Sequence, residues 1–193
     1  MDGTPDEFGS PYRLLSAAVV PRPIAWVSSR GPRGENLAPF SFFNVAAIDP
    51  PVVLFAPVGV GDDRKDTPEN VLATGAFVVN VVTGDLVEAM NETAASLGPD
   101  ESEFDRAGVT AVEATAVDAP RVAEAHVALE CTLYDSMEVG GSTLLLGEVV
   151  HAHVDDDLLV DGKLDVTKLD AVGRLAGGYY ASTRDRYHLE RPP

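Results

Sequence analysis

"IAWVSSRGPRGENLAPFSFF", residues 24–43, reads as two strands joined by a tight reversal. Ile24 to Ser28 is short, β-branched and aromatic, which is strand composition. "RGPRGEN" follows with two glycines and a proline, the chemistry of a hairpin turn. The chain then returns through "LAPFSFF", a strand expected to break or bulge at Pro39, because proline has no N–H to give a ladder. Continuing to Pro51, the sixteen residues from Asn36 hold three phenylalanines, three prolines, two asparagines and one serine. An apolar wall interrupted by a few amide and hydroxyl groups is how small-molecule pockets are built. The same composition fits a core strand followed by a proline turn, with Asn36 and Asn44 satisfying nearby backbone. Composition alone leaves both open.

Outward from this stretch, "PVVLFAP" and "GAFVVNVV" are apolar runs of strand length bounded by turn residues. "AHVALECTLYDS" and "STLLLGEVVHAHV" flank "MEVGG" and predict a long antiparallel hairpin. Helices are fewer. Residues 67–74 open with Thr67 as cap and Pro68 at the first helical position, and Gly75 closes them. Residues 85–98 carry helical spacing at Leu86, Val87, Met90 and Ala94, with Asp85 as cap and Gly98 as stop. A third short helix is predicted from Val166 to Ala176. Strands dominate without regular alternation with helices, which disfavours a doubly wound parallel sheet and predicts an antiparallel β-barrel with helices outside it. No repeat or long linker divides the 193 residues, so one domain is expected over 1–193.

Bulk composition narrows the function. The net charge of −17 argues against nucleic acid or an anionic membrane as partner. No apolar run approaches the ~20 residues that cross a bilayer, and the first residues lack a basic n-region and an apolar h-region, so a cytoplasmic protein is expected. Cys131 is the sole cysteine, which excludes an internal disulfide and a cysteine-based zinc site; its apolar strand makes it core. Only three of the 14 basic residues are lysines (Lys65, Lys163, Lys168). A surface this acidic and lysine-poor suits a salt-rich, halophilic cytoplasm, where ions screen self-repulsion; an acidic protein of ordinary habitat is the alternative.

Two motifs could carry chemistry. In "DDRKDTPEN" a helix starting near Thr67 exposes unpaired N–H groups and the positive end of its dipole, with Arg64, Lys65 and the Thr67 hydroxyl as further donors. That is an anion site suited to a phosphate monoester. The competing reading is a capped surface helix whose cations pair with Asp62, Asp63 and Asp66. His151 and His153 lie two apart, on one face of a strand, and with Asp155 invite a two-histidine, one-carboxylate reading. Solvent histidines at a strand edge are the more ordinary reading of this spacing, and we assign no metal from it. No Ser-His-Asp order or glycine-rich dinucleotide fingerprint is present.

"RPIAWVSSRGPRGENLAPFSFFNVAAIDPPVVLFAP", then "KDTPENVLATGAFVVNVV", "LLLGEVVHAHVDD" and "GRLAGGYYA" together resemble the flavin reductase-like family with the FMN-binding split-barrel fold. The resemblance runs in order from about Tyr12 to Arg191. It implies a mainly β, antiparallel split barrel binding FMN, with NADH or NADPH as electron donor and no side-chain acid–base catalyst. It further implies that Trp26 to Ser29 border the flavin, with the Ser28 and Ser29 hydroxyls toward ribityl or phosphate. Asn36, Leu37, Ala38 and Pro39 would line the ring, and Ser41, Phe42 and Asn44 would continue that wall. Lys65, Asp66 and Thr67 would hold the phosphate. Arg174, Gly178 and Tyr179 would approach from the C-terminal segment across a homodimer interface. A flavin electron carrier or FMN store without a nicotinamide site is the alternative function. The charge yields one prediction: the thermal midpoint rises between dilute buffer and 1 M KCl, where the Debye length has fallen to ~3 Å. A midpoint that is flat or falling over that range counts against salt adaptation.

Overall fold

The computed structural model describes residues 2–98 and 101–192. The strands are β1 (Arg22–Pro23), β2 (Ala25–Gly31), β3 (Gly34–Phe40), β4 (Phe43–Ile48), β5 (Pro51–Phe55), β6 (Ala76–Val81), β7 (Ala111–Glu113) and β8 (Pro120–Val122). They continue with β9 (Val127–Val139), β10 (Ser142–Val154), β11 (Leu159–Val160), β12 (Lys163–Leu164), β13 (Val172–Arg174) and β14 (Tyr180–Ser182). The α-helices are α1 (Pro11–Ala18), α2 (Asp66–Thr74), α3 (Val87–Glu92) and α4 (Glu103–Ala107).

Seven strands form one antiparallel sheet in the order β3-β2-β6-β9-β10-β5-β4. β3 and β4 stand at opposite edges, yet only Ser41 and Phe42 separate them in sequence. Laid flat, the seven strands would put these edges about 29 Å apart. The three Cα steps from Phe40 to Phe43 span at most about 11 Å. The sheet must therefore curl until its edges meet at this corner: an antiparallel split barrel. The chain breaks at Ser41–Phe42 and not at Pro39, which pairs in register with Trp26. Proline is accepted there because β3 is an edge strand and has a neighbour on one side only.

Strand alternation sorts the core. Ala25, Val27, Val79 and Leu145 face the barrel interior with Phe40, Phe55 and Phe77, whose rings run at 5.2 and 5.3 Å centroid spacings. Trp26 points to the other face, into a second cluster with Leu37, Leu86, Met90, Phe104 and Val172. Two buried amides fasten outlying segments to the sheet. Asn80 donates to the Trp26 carbonyl and the Ser28 hydroxyl, both at 3.0 Å, and accepts from the Val122 N–H at 2.9 Å. Asn70 on α2 accepts from the Arg33 N–H and donates to the Gly34 carbonyl, each at 2.9 Å, pinning the β2–β3 turn.

The long β9–β10 hairpin forms as expected, turning at Gly140–Gly141. The helical expectations need correction. The 85–98 helix is α-helical only over α3. Beyond it the N–H groups of Thr93, Ala94 and Ala95 bond three residues back, and the Thr93 hydroxyl donates to the Met90 carbonyl. These tighter turns end the helix early. Asp85 caps nothing and pairs with His126 at 3.1 Å. No helix spans 166–176: Val172 to Arg174 is strand β13, between β1 and β14. Gly173 there lies so close to β1 that an added Cβ would meet the Pro21 Cβ at 2.9 Å. The helices α1 and α4 escaped the sequence reading.

Gly147, in β10, offers a test of the interior packing. A Cβ at this position would fall 2.2 Å from the Phe77 ring and 3.0 Å from the Cys131 Cβ. Gly147→Ala therefore overpacks the barrel and costs about 1–3 kcal/mol. Chemical denaturation should show a lower midpoint at unchanged slope; a neutral substitution would mean that the interior around Phe77 is loosely filled.

Candidate functional site

Helix α2 begins without a side-chain cap. Lys65 is its N-cap residue, and the helix ends on Gly75 in the left-handed conformation (φ 72°). Thr67, expected as the cap, lies inside the first turn, where its hydroxyl donates to the Asn36 Oδ1. Among the described residues the first turn thus leaves the Asp66 and Thr67 N–H groups open, and Pro68 has none to satisfy. Arg64, expected beside them, turns away to Glu138 at 2.7 Å. Lys65 is exposed and makes no side-chain ion pair or hydrogen bond among the described residues. Asp66 is partly offset by Arg33 at 3.3 Å, a guanidinium that also holds Glu69 at 2.5 Å.

This helix start opens onto a cleft of about 600 Å³. One wall is the edge strand β3, through Asn36, Ala38, Pro39 and Phe40; the floor is Lys65, Asp66 and Thr67. The opposite wall is the turn from Thr93 to Gly98 together with Glu101, Ser102 and Glu103. Asn36 joins the walls, since its amide accepts from Thr67 and donates to Glu103 at 3.2 Å. Burial pushes the Glu103 carboxyl above the usual glutamate range, and the Asp66 charge adds to this; the Asn36 hydrogen bond works the other way.

Six of the expected residues therefore meet in one cleft: Asn36, Ala38, Pro39, Lys65, Asp66 and Thr67. The others lie elsewhere. Trp26 is fully buried, with its indole N–H donated to Thr93 at 2.9 Å, and Leu37 is fully buried in the same cluster. The Ser28 and Ser29 hydroxyls, expected toward ribityl or phosphate, point into the protein. Ser28 donates to the Pro120 carbonyl at 2.5 Å, and Ser29 accepts from Asn70 at 3.3 Å. Ser41 and Phe42 form the corner and Asn44 stands past it, all outside the cleft; the Asn44 side chain accepts from the Val45 N–H. Arg174 and Gly178 line a second, separate cleft with Asp85, Glu88 and Tyr180, and Tyr179 is exposed. Sequence reasoning missed the Thr93–Gly98 turn and Glu103. The run of small residues in "NETAASLG" was the available signal, hidden inside a helical spacing that continues past Glu92.

The model of the flavin reductase like domain matches residues 16–168. The chain belongs to the flavin reductase-like family. A relative of uncharacterised role from Halalkalibacterium halodurans is 42% identical over 190 residues, covering 94% of this chain and 90% of the relative. Among solved structures, nitrilotriacetate monooxygenase component B from Bacillus cereus superposes with a TM-score of 0.92 at 35% identity, covering 98% of both chains. The 2-nitrobenzoate 2-nitroreductase of Pseudomonas fluorescens gives 0.83 at 34% identity, covering 94% of this chain and 90% of that one. Within this flavin reductase-like fold the cleft lies where an edge strand, an open helix start and a non-helical turn converge.

Glu103 provides a test of the cleft's electrostatics. A carboxyl whose folded pKa is raised contributes stability below its unfolded pKa and loses it as pH rises through the folded value. Glu103→Gln should therefore be more stable than the parent at neutral pH and above, the gap closing under acid conditions below the usual glutamate range. Urea midpoints across this span check it, and a pH-independent difference would remove the assigned burial effect.

Proposed function

We propose that the chain is an FMN-binding oxidoreductase that takes electrons from NADH or NADPH and passes them to a flavin or another acceptor. One observation carries this reading. Among the described residues, an uncapped helix start with an unpaired lysine shares a cleft with an edge strand whose outer backbone groups have no strand partner. The first suits a phosphate monoester and the second a flat heterocycle bordered by hydrogen-bonding atoms. FMN carries both, and when bound supplies hydride acceptance and electron release.

The protein's share is placement. Lys65 and the N–H groups of Asp66 and Thr67 would hold the phosphate, and Thr67 is itself held by Asn36. Ala38, Pro39 and Phe40 would support the ring from the β3 side, and the Thr93–Gly98 turn would limit water from the other. The Bacillus cereus and Pseudomonas fluorescens relatives, a monooxygenase component and a nitroreductase by name, support a redox role. Anaerobic addition of NADH and of NADPH, followed at the flavin absorbance, tests the donor. Bleaching by either supports the enzyme; a flavin that bleaches with dithionite alone makes the protein an electron carrier or store.

Assembly belongs to the same proposal. Helix α1 leaves Tyr12, Leu15 and Val19 exposed, and the edge strand β4 exposes Val45 and Ile48. Arg22 links the two regions: its guanidinium donates to the Ser16 and Val19 carbonyls and lies 5.9 Å from the Phe42 ring centre. We infer a two-fold homodimer that covers this surface. Leu15→Glu combined with Ile48→Glu should yield monomers by light scattering in salt, and a dimer unaffected by both charges would place the interface elsewhere.

Lys65 tests the cofactor. Lys65→Ala removes a charge-assisted hydrogen bond worth ~1.5–3 kcal/mol, a roughly 10- to 150-fold loss of FMN affinity. Riboflavin has no phosphate and should bind parent and variant alike. Calorimetric titration of both flavins supplies the four constants. Equal losses for the two, or none for either, would reduce Lys65 to a solvated surface charge.

A further inference from the structure

On the outer face of the β9–β10 hairpin, among residues that do not line the candidate cleft, the structure gathers Glu130, His151 and His153. One ligand-capable atom from each lies within 4.8 Å of the others. Their convergence has a backbone cause. Val149 pairs with Cys131, but His151, two residues on, pairs with Glu130, the next residue along β9. Val150 is thus the extra residue of a β-bulge. The bulge sets His151 directly across from Glu130, on the same sheet face, and His153 follows two residues later on that face. The two imidazoles meet edge to face with centroids 4.9 Å apart.

Glu130 is an uncommon residue to find there. Its side chain has no exposure, and it interrupts the apolar strand face that carries Ala128. Both carboxylate oxygens are aimed by the backbone: Oε1 accepts from the Thr115 N–H at 2.7 Å and Oε2 from the Ala116 N–H at 2.5 Å. Oε1 also meets His153 Nε2 at 2.5 Å, while His151 and His153 are only half-buried and open to ions from solvent. A fixed carboxylate with its orienting hydrogen bonds already made, facing two reachable imidazoles, is the arrangement of a metal ligand set. Asp155, the carboxylate suggested by sequence spacing, is taken by His126 at 2.7 Å, so Glu130 supplies the oxygen in its place.

We propose that Glu130, His151 and His153 form a binding site for a divalent transition-metal ion, with Zn²⁺ as the best fit. Two nitrogens and one oxygen suit zinc and its neighbours and do not suit Mg²⁺ or Ca²⁺, which demand more oxygens. Three protein ligands leave a fourth tetrahedral position for water or an exogenous ligand. Around a zinc ion with ligands at about 2.1 Å, tetrahedral donors sit about 3.4 Å apart. His153 therefore retreats by roughly 1 Å from Glu130, and His151 closes in. Binding replaces any proton on the metal-facing nitrogens, which is released.

The experiment uses the full chain after chelator treatment and dialysis, titrated with ZnCl₂ against a chromophoric indicator, with MgCl₂ as the control for the acidic surface. We expect one Zn²⁺ per chain, a higher thermal midpoint with Zn²⁺ and not with Mg²⁺, and the visible bands of four-coordinate Co²⁺ on substitution. His151→Ala and His153→Ala should each weaken Zn²⁺ by at least about tenfold while leaving FMN uptake intact. The histidines are chosen because Glu130→Gln also disturbs the Thr115–Ala116 turn. No stoichiometric binding by the parent, or binding equally tight in both histidine variants, overturns the site.

Discussion

Two residues, Ser41 and Phe42, carry the chain from one edge of a seven-stranded sheet to the other. This short tether decides the architecture, because no flat sheet can satisfy it. Closure forces the strands to share one interior, which Phe40, Phe55 and Phe77 fill, and it leaves no room for a side chain at Gly147. Closure also sets α2 beside β3, where Thr67 reaches Asn36 and Val71 joins the interior cluster. The cleft follows from the barrel seam more than from any single side chain.

Amide side chains then hold the parts in place. Asn70 ties α2 to the β2–β3 turn, Asn80 ties β8 to the sheet, and Asn36 ties the helix start to Glu103. Each is buried, and each uses both ends of its amide. A buried amide stripped of partners costs about 1–3 kcal/mol, so such residues are tolerated only where the geometry satisfies them. The geometry they enforce is correspondingly narrow. The polar residues set among apolar neighbours in this sequence thus divide by role: Asn36 faces the cleft, while Ser28 and Ser29 hold the scaffold behind it.

The strands and the barrel were legible because their signals are local: β-branched runs, paired glycines, and a hairpin around "MEVGG". The start of α2 was legible within two residues from Thr67 and Pro68, and its end from Gly75. What sequence reading could not supply was competition between partners. Thr67 looks like a cap until Asn36, thirty-one residues away, accepts its hydrogen bond. Asp155 looks like the third ligand until His126 claims it, and a one-residue bulge at Val150 brings Glu130 forward instead. The 166–176 segment has plausible helical spacing, yet pairing with β1 outweighs it. In each case the deciding contact is long-range, and local pattern carries no trace of it.

Trp26 is the sole tryptophan of the chain. Its ring is sealed from solvent, and its indole N–H reaches Thr93, the first residue of the turn that walls the cleft. The protein therefore carries a built-in optical probe one hydrogen bond from the wall of the cleft. A chromophore settling in the cleft becomes an energy-transfer acceptor for this indole, and a shift of the Thr93 turn alters the indole's polar contact. Emission from one native side chain can then follow both occupancy and wall movement, with no label attached.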